Sequence, residues 1–388
     1  MPKKIKKRHL LDLHIFLPYV ALCIIGLMMV YSTTSYNLLE ENKNPAKQAI
    51  LQLIFWFISL ILMMVIYRIK TKVLSKKIFG DIALAVITPL VLVVVFFFKP
   101  VNGSYGWIQL PGIGTLQPAE FLKFIVIWFL AIRITKRKDA ILHFEENPIR
   151  TLFTIVAPVL VQILILVFYP DWGNMIVLGM VVVILLLSSG INYLYSVFTG
   201  TGLFILAWLA IKLVPTLGGT ILPAHVVSRF KIFQNPFLDE YGAGHQAIHG
   251  YYAMFNGGLF GRGLGNSIQK KGFLSEAQTD YAFAIVVEEL GMIMALVILG
   301  LLLYMVARII LIGIRSTDTF NSLMCIGIGA LFLISIFVNL GGITGIIPLT
   351  GITFPFISQG GSSLLMFSIA VAFALNISAD EKKKKLQL

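Results

Sequence analysis

The sequence predicts an all-α integral membrane protein of about ten transmembrane helices, since each crossing takes about 20 apolar residues. Two properties of composition and one of order predict it. Of 388 residues, 58% are hydrophobic and 13% charged, against roughly 25% charged in a soluble domain. The apolar residues come in runs of near-spanning length, and Lys and Arg cluster between the runs. The net charge of +13 is therefore a topology signal and a contact with anionic headgroups, which removes a nucleic-acid reading.

The first run, Ile15 to Tyr31, follows Lys3, Lys4, Lys6, Lys7 and Arg8 with no small-residue cleavage signature after it. It reads as an uncleaved signal anchor, leaving the basic tail 1–14 in the cytoplasm. Further runs fall at 50–67, 78–98, 119–134, 151–169, 174–189, 194–213, 281–311, 321–340 and 361–378. With both termini inside, the cytoplasmic segments hold 21 of the 31 Lys and Arg residues, as the positive-inside rule requires. The tail 379–388 is then cytoplasmic too, and 1–388 is a single polytopic domain. Cys23 and Cys325 lie inside apolar runs and read as small hydrophobes.

Three outward-facing segments exceed what a turn requires: 99–118, the large extracellular loop 214–280, and 341–360. Long ordered loops are usually functional. The stretch GGITGIIPLTGITFPFISQGG is rich in Gly and Pro yet uncharged, which suits re-entrant backbone lining a cavity at membrane depth. No internal repeat supports an inverted-repeat transporter.

Ionisable groups at membrane depth are costly and mark functional sites. Asp280 stands at the mouth of the eighth run, with Glu276 before it and Glu288 and Glu289 beyond. On a regular helix, Glu288 falls about 80° from Asp280 and Glu289 on the opposite side. Only Glu288 is then expected to share the cavity, and Glu289 to pack or to hydrogen-bond between helices. Glu120 and Lys123, three apart, share a face: either a self-neutralised pair or a Lys offered to an anionic headgroup. Arg229, Lys231, Arg262, Lys270 and Lys271 make the large loop basic, as a diphosphate-bearing lipid would need. Lys270 and Lys271 read as solvated.

Asp171, in PDWG, reads as a helix cap. Trp107 is an interfacial anchor or a stacking surface for a sugar. His245 and His249 share a helix face but lack further ligands at zinc spacing. From the residues alone, ion transport, lipid-linked transfer and lipid flipping all stay open.

Six segments in order carry a resemblance: IGLMMVYSTTSY; GWIQLPGIGTLQPAEFLKF; PDWGN; the Arg229 to Gln246 stretch with NPFLDEYGAGHQ; NGGLFGRGLGNSIQKKGFLSEAQTDYAFAIVVEELG; and GGITGIIPLTGITFPFISQGGSS. Over nearly its whole length the chain resembles the SEDS (shape, elongation, division and sporulation) family of bacterial peptidoglycan glycosyltransferases. VYSTTS, EAQTDYAF, TFPFISQGGSS and the lysine-rich tail resemble the division branch of streptococci, enterococci and lactic acid bacteria more than the elongation (RodA-type) or sporulation branches. Gly106, Ala119, His245, Ser275 and Gln359 depart from common family residues; none removes an ionisable group of the family mechanism.

The resemblance implies polymerisation of lipid II at the outer face of the cytoplasmic membrane during septal wall synthesis, with release of undecaprenyl pyrophosphate. It implies Asp280 as the catalytic residue. Arg229, Lys123, Glu120, Trp107, Gln117, Arg262, Glu276, Glu288, Ser358 and Ser362 make the substrate-binding set, Arg229 and Lys123 being the leading stabilisers of the diphosphate. Mg2+ or Mn2+ accompanying the diphosphate is a possible cofactor, with no metal motif in the sequence. The implied partners are a class B penicillin-binding transpeptidase and other divisome proteins. A lipid II flippase and a divisome scaffold are the alternatives.

Overall fold

A computed structural model describes residues 7–98, 106–110, 114–138, 141, 148–168, 171–191, 193–220, 224–242 and 244–387. Each of the ten apolar runs is a helix. In chain order the main helices are α1 (Leu13–Glu40), α2 (Lys47–Arg68), α3 (Lys77–Phe97), α4 (Pro118–Lys136), α5 (Pro148–Phe168) and α6 (Trp172–Leu187). They continue with α7 (Tyr193–Leu217), α8 (Ala224–Gln234), α9 (His245–Gly257), α10 (Ala282–Arg315), α11 (Thr319–Ile343) and α12 (Gly361–Gln387). Among the described residues seven helices, α1, α2, α3, α7, α10, α11 and α12, are long and apolar enough to cross a membrane, and α5 and α6 contain shorter apolar stretches. The remaining run, 119–134, is α4, which carries Glu120, Lys123, Arg133 and Lys136. The chain is a helical membrane protein.

α11 and α12 are the inner helices, while the apolar stretch of α7 is buried nowhere along its length. α12 packs on α2, α10 on α11 and on α1, and α3 on α4. Asn376 of α12 donates to Ile66 O and Ile69 O, at 2.6 and 3.0 Å, at the C-terminal end of α2, filling carbonyls that a helix end leaves open. Near the start of α1, fully buried Asp12 accepts from Arg308 Nη2 at 2.9 Å, from Ser378 Oγ at 2.8 Å and pairs with Lys382 at 3.2 Å. One carboxylate thereby ties α1, α10 and α12 together at one end of the bundle.

The segment between α7 and α10 contains α8, α9 and two 3-10 turns, followed by irregular backbone from 258 to 281. Between α3 and α4, β1 (Ile108–Leu110) and β2 (Gly114–Leu116) form an antiparallel pair with Gln109 opposite Thr115.

The regular-helix expectation from Asp280 through Glu289 fails because Asp280 precedes the N-cap Tyr281, so helical counting does not start from it. Beyond Glu289, α10 is broken at Gly291 (φ 82°, ψ 165°). There Met292 N and Ile293 N turn to Gly258 O and Leu259 O. A Cβ on Gly291 would lie 2.4 Å from Gly261 N and Leu259 O, so close approach and positive φ together demand glycine.

Candidate active site

The five helix beginnings α2, α4, α6, α10 and α12, with β1–β2, α8, α9 and the 342–363 segment, enclose a cavity of about 1100 Å3 at the end of the bundle opposite Asp12. Asp280, Glu276, Arg229, Trp107, Gln117, Glu120 and Ser362 line it, as do Asp171, Trp172, Asn174 and Thr350.

Asp280 sits in the TDY turn ahead of α10, held by its backbone. Asn339, from the end of α11, donates to Asp280 O at 2.8 Å and to Ile352 O at 2.7 Å. Ser358 Oγ donates to Thr279 O at 2.6 Å, and Gln359 N to Gln278 O at 2.8 Å. The 344–360 segment is thus fastened along the 278–280 turn, and the Asp280 side chain is left to the cavity. Gly351 (φ 78°) lies against it: a Cβ there would stand 3.4 Å from Asp280 Oδ2 and 3.9 Å from Arg229 Nη2. Burial pushes the Asp280 carboxyl up to about 7, the Glu276 charge adds to this, and Arg229 opposes it. A half-buried, largely desolvated carboxyl beside one cation titrates where a general base works best at neutral pH.

Across the cavity, Lys123 Nζ meets Glu120 Oε1 at 2.7 Å with Lys123 only 1% exposed. The pair is self-neutralised, and Glu120, not Lys123, faces the cavity. Asp171 caps α6 by accepting from Asn174 N at 3.1 Å. It also accepts from Gln117 Nε2 at 3.0 Å, and burial raises its carboxyl above the usual range. Ser362 Oγ accepts from Gln117 N at 2.8 Å, joining α12 to the start of α4.

Besides Lys123, three of the residues expected at the site do not line the cavity. Glu288 is fully buried away from the cavity wall, because loop 267–269 folds over it: Ser267 Oγ, Ile268 N and Gln269 N donate to its carboxylate. Arg262 is an exposed loop residue outside the cavity lining. Ser358 is buried and acts on the backbone ahead of Asp280. Lys270, expected in solvent, is 3% exposed and pairs with Glu289 at 2.7 Å. Ser32 of α1 also donates to Glu289 at 2.7 Å, so that carboxylate bonds between helices as expected. His249 Nδ1 meets Gln269 Oε1 at 2.7 Å.

Sequence reasoning missed Asn339, Trp172, Asn174 and Thr350. For Asn339 a signal existed, an amide near the far end of the apolar run 321–340; for the others nothing short of packing places them at a cavity. Among the described residues no group of three His, Cys, Asp or Glu side chains is placed to hold a metal ion. Asp280 and Glu276 alone do not supply a resident Mg2+ or Mn2+ site.

A family model described as cell cycle protein, covering FtsW, RodA and SpoVE, matches residues 13–383. The chain belongs to this family. It is 44% identical to the probable peptidoglycan glycosyltransferase FtsW of Lactococcus lactis subsp. lactis, over 98% of this chain and 96% of that protein. It is 34% identical to the protein of the same name from Enterococcus hirae, covering 98% and 95%, and 33% identical to stage V sporulation protein E of Bacillus subtilis, covering 95% and 96%. Among solved structures it is similar to a chain described under structural coordination of polymerization and crosslinking by a peptidoglycan synthase complex, with TM-score 0.72, 22% identity and coverage of 95% and 98%. Thermus thermophilus RodA gives TM-score 0.65 at 20% identity, covering 95% and 97%; these two likenesses concern the fold.

Proposed function

We propose that this member of the family is a peptidoglycan glycosyltransferase of the FtsW type, polymerising lipid II into glycan strands at the outer face of the cytoplasmic membrane during septal wall synthesis. The observation that carries the mechanism is Asp280, cavity-facing, backbone-anchored and titrating near 7, with Arg229 beside it. As a carboxylate, Asp280 takes the proton of an acceptor sugar hydroxyl. The freed oxygen attacks the anomeric carbon of the donor sugar, the bond from that carbon to the phosphate oxygen breaks, and the electron pair leaves with the diphosphate. Arg229 stabilises the charge that builds there. Glu276 keeps the Asp280 proton affinity high, and Lys123 acts through Glu120, holding it at the wall.

The ten helices α1–α7 and α10–α12 are read as ten spans, with the basic segments and both termini cytoplasmic and the cavity opening outward. A class B penicillin-binding transpeptidase is the expected partner: the chain shares its fold with a member of a complex described as coordinating polymerization and crosslinking. Septal placement with other divisome proteins follows from the FtsW-type reading.

Proteoliposomes carrying fluorescent lipid II and the cognate transpeptidase separate polymerisation from flipping. Glycan ladders on a gel, with release of undecaprenyl pyrophosphate, are expected. Transbilayer movement of lipid II without new glycosidic bonds would contradict the reading.

A further inference from the structure

The cavity has two chemically different walls, and the proton transfer and leaving-group steps above use only one of them. Asp280 and Arg229 form the first. The second is built by the starts of α4 and α6 together with Thr350. These pieces are in mutual contact: Gln117 Nε2 donates to Asp171, and a Cβ on Gly173 would lie 2.7 Å from Thr350 O. Thr350 and Gly351 run between the walls, since Gly351 is the residue that abuts Asp280 and Arg229.

Four cavity-lining side chains of this second wall hold a buried polar atom with no hydrogen-bond partner among the described residues: Glu120 Oε2, Asn174 Oδ1, Trp172 Nε1 and Thr350 Oγ1. Glu120 is 6% exposed and Asn174 2%. Buried polar groups are nearly always paired in native proteins, because an unmet one costs its full desolvation. The orientation of Asn174 is set by chemistry. Its Nδ2 donates to the Asp171 carboxyl at 2.8 Å, which leaves Oδ1 as the open group. The wall thus offers two acceptors, Glu120 Oε2 and Asn174 Oδ1. It also offers one strict donor, the Trp172 indole N–H, and one hydroxyl able to act either way.

Electrostatics selects what fits. Lys123 is committed to Glu120, and Asp171 adds a further carboxyl, so among the described residues the starts of α4 and α6 and Thr350 offer no spare cation for a phosphate; Lys47, which also lines the cavity, stands at the start of α2. An uncharged ligand rich in hydroxyls, with at least one carbonyl acceptor and one amide N–H, matches the set. We infer that the wall formed by Glu120, Trp172, Asn174 and Thr350 is a subsite for an uncharged N-acetylated hexosamine ring, its hydroxyl and amide hydrogens going to Glu120 and Asn174 and its acetamido carbonyl accepting from Trp172. The inference rests on the glycosyltransferase reading for the identity of the sugar. It places the ring on the wall that adjoins Arg229 through Thr350 and Gly351, Arg229 being the residue read above as stabilising the diphosphate.

The test is lipid binding without turnover. The full chain in nanodiscs is titrated with lipid II and, separately, with undecaprenyl diphosphate, which keeps the lipid and the diphosphate, with one further ionisable oxygen at its free end, and has no sugar. Trp172→Phe keeps a ring and removes the N–H; Thr350→Val exchanges hydroxyl for methyl at nearly constant volume. Each is expected to weaken lipid II binding about five- to tenfold, the range of one lost hydrogen bond to a buried partner, with undecaprenyl diphosphate binding unchanged. The unchanged second lipid also shows the variants to be folded. Equal losses for both lipids, or no loss for lipid II, would overturn the subsite. Polymer formation by wild type in the same nanodiscs reads the enzymatic function separately. Sugar-dependent binding without polymer retains the subsite and removes the polymerase. Polymer with binding insensitive to both variants does the reverse.

Discussion

With its carboxyl held near 7 by burial and by the Glu276 charge, Asp280 is partly protonated at neutral pH and can accept a proton only in its ionised form. Its folded value lies above that of a free carboxyl, so the active fraction grows as pH rises. Polymerisation kcat/KM is therefore expected to climb about tenfold per pH unit below about 6 and to level above about 8. Neighbouring charges move this limb in opposite directions. Arg229 favours the carboxylate, so Arg229→Met moves the limb to higher pH. Glu276 disfavours it, so Glu276→Gln moves it lower. Initial rates of glycan formation across this range, for wild type and both variants, check the sign of each shift. A limb that ignores both substitutions would separate the titration from Asp280. At the same scale, Gly351→Ala places a methyl against the Asp280 carboxyl in a positive-φ position, and is expected to lower the rate while lipid II binding, read by titration, is retained.

The elements behave as two kinds of object. The helices were legible: ten apolar runs of near-spanning length became ten helices, because length and hydropathy act locally. The break at Gly291 was not, because its cause is the approach of Gly261 and Leu259 from a loop 30 residues earlier in the chain. Glu288 and Lys270 were misplaced for the same reason. Their burial depends on loop 262–271 folding over the start of α10, where Lys270, Glu289 and Ser32 close a buried network. Glu289→Ala leaves Lys270 buried and unpaired and is expected to cost about 3–5 kcal/mol, seen as a large fall in Tm in detergent. The double substitution Glu289→Leu with Lys270→Met recovers most of it. An unchanged Tm in Glu289→Ala would show that Lys270 reaches solvent. Of the residues expected from charge, motif and resemblance, Asp280, Glu276, Arg229, Trp107, Gln117, Glu120 and Ser362 line one cavity. Trp172, Asn174 and Thr350 were hidden, since only the meeting of α4, α6 and the 344–360 segment puts them on one wall.

Across the whole molecule the two ends of the bundle do opposite work. One end is closed by Asp12, which joins α1, α10 and α12 through Arg308, Lys382 and Ser378; the other opens into the cavity. Inner helices α11 and α12 connect them, so the reactive turn is mounted on the most buried part of the fold. Asp12→Ala is expected to lower Tm far more than Glu41→Ala, whose exposed pair with Lys43 is worth at most about 1 kcal/mol. Equal effects would mean that the closed end carries little of the stability. The account as a whole rests on Asp280 acting chemically rather than structurally. The most direct measurement compares wild type with Asp280→Asn, each with the cognate transpeptidase, for binding of purified lipid II and for gel-resolved polymer. The expected result is lipid II binding within about twofold of wild type, the loss of a proton-accepting group being a transition-state effect, with no polymer formed. Polymer at the wild-type rate from Asp280→Asn would contradict the account.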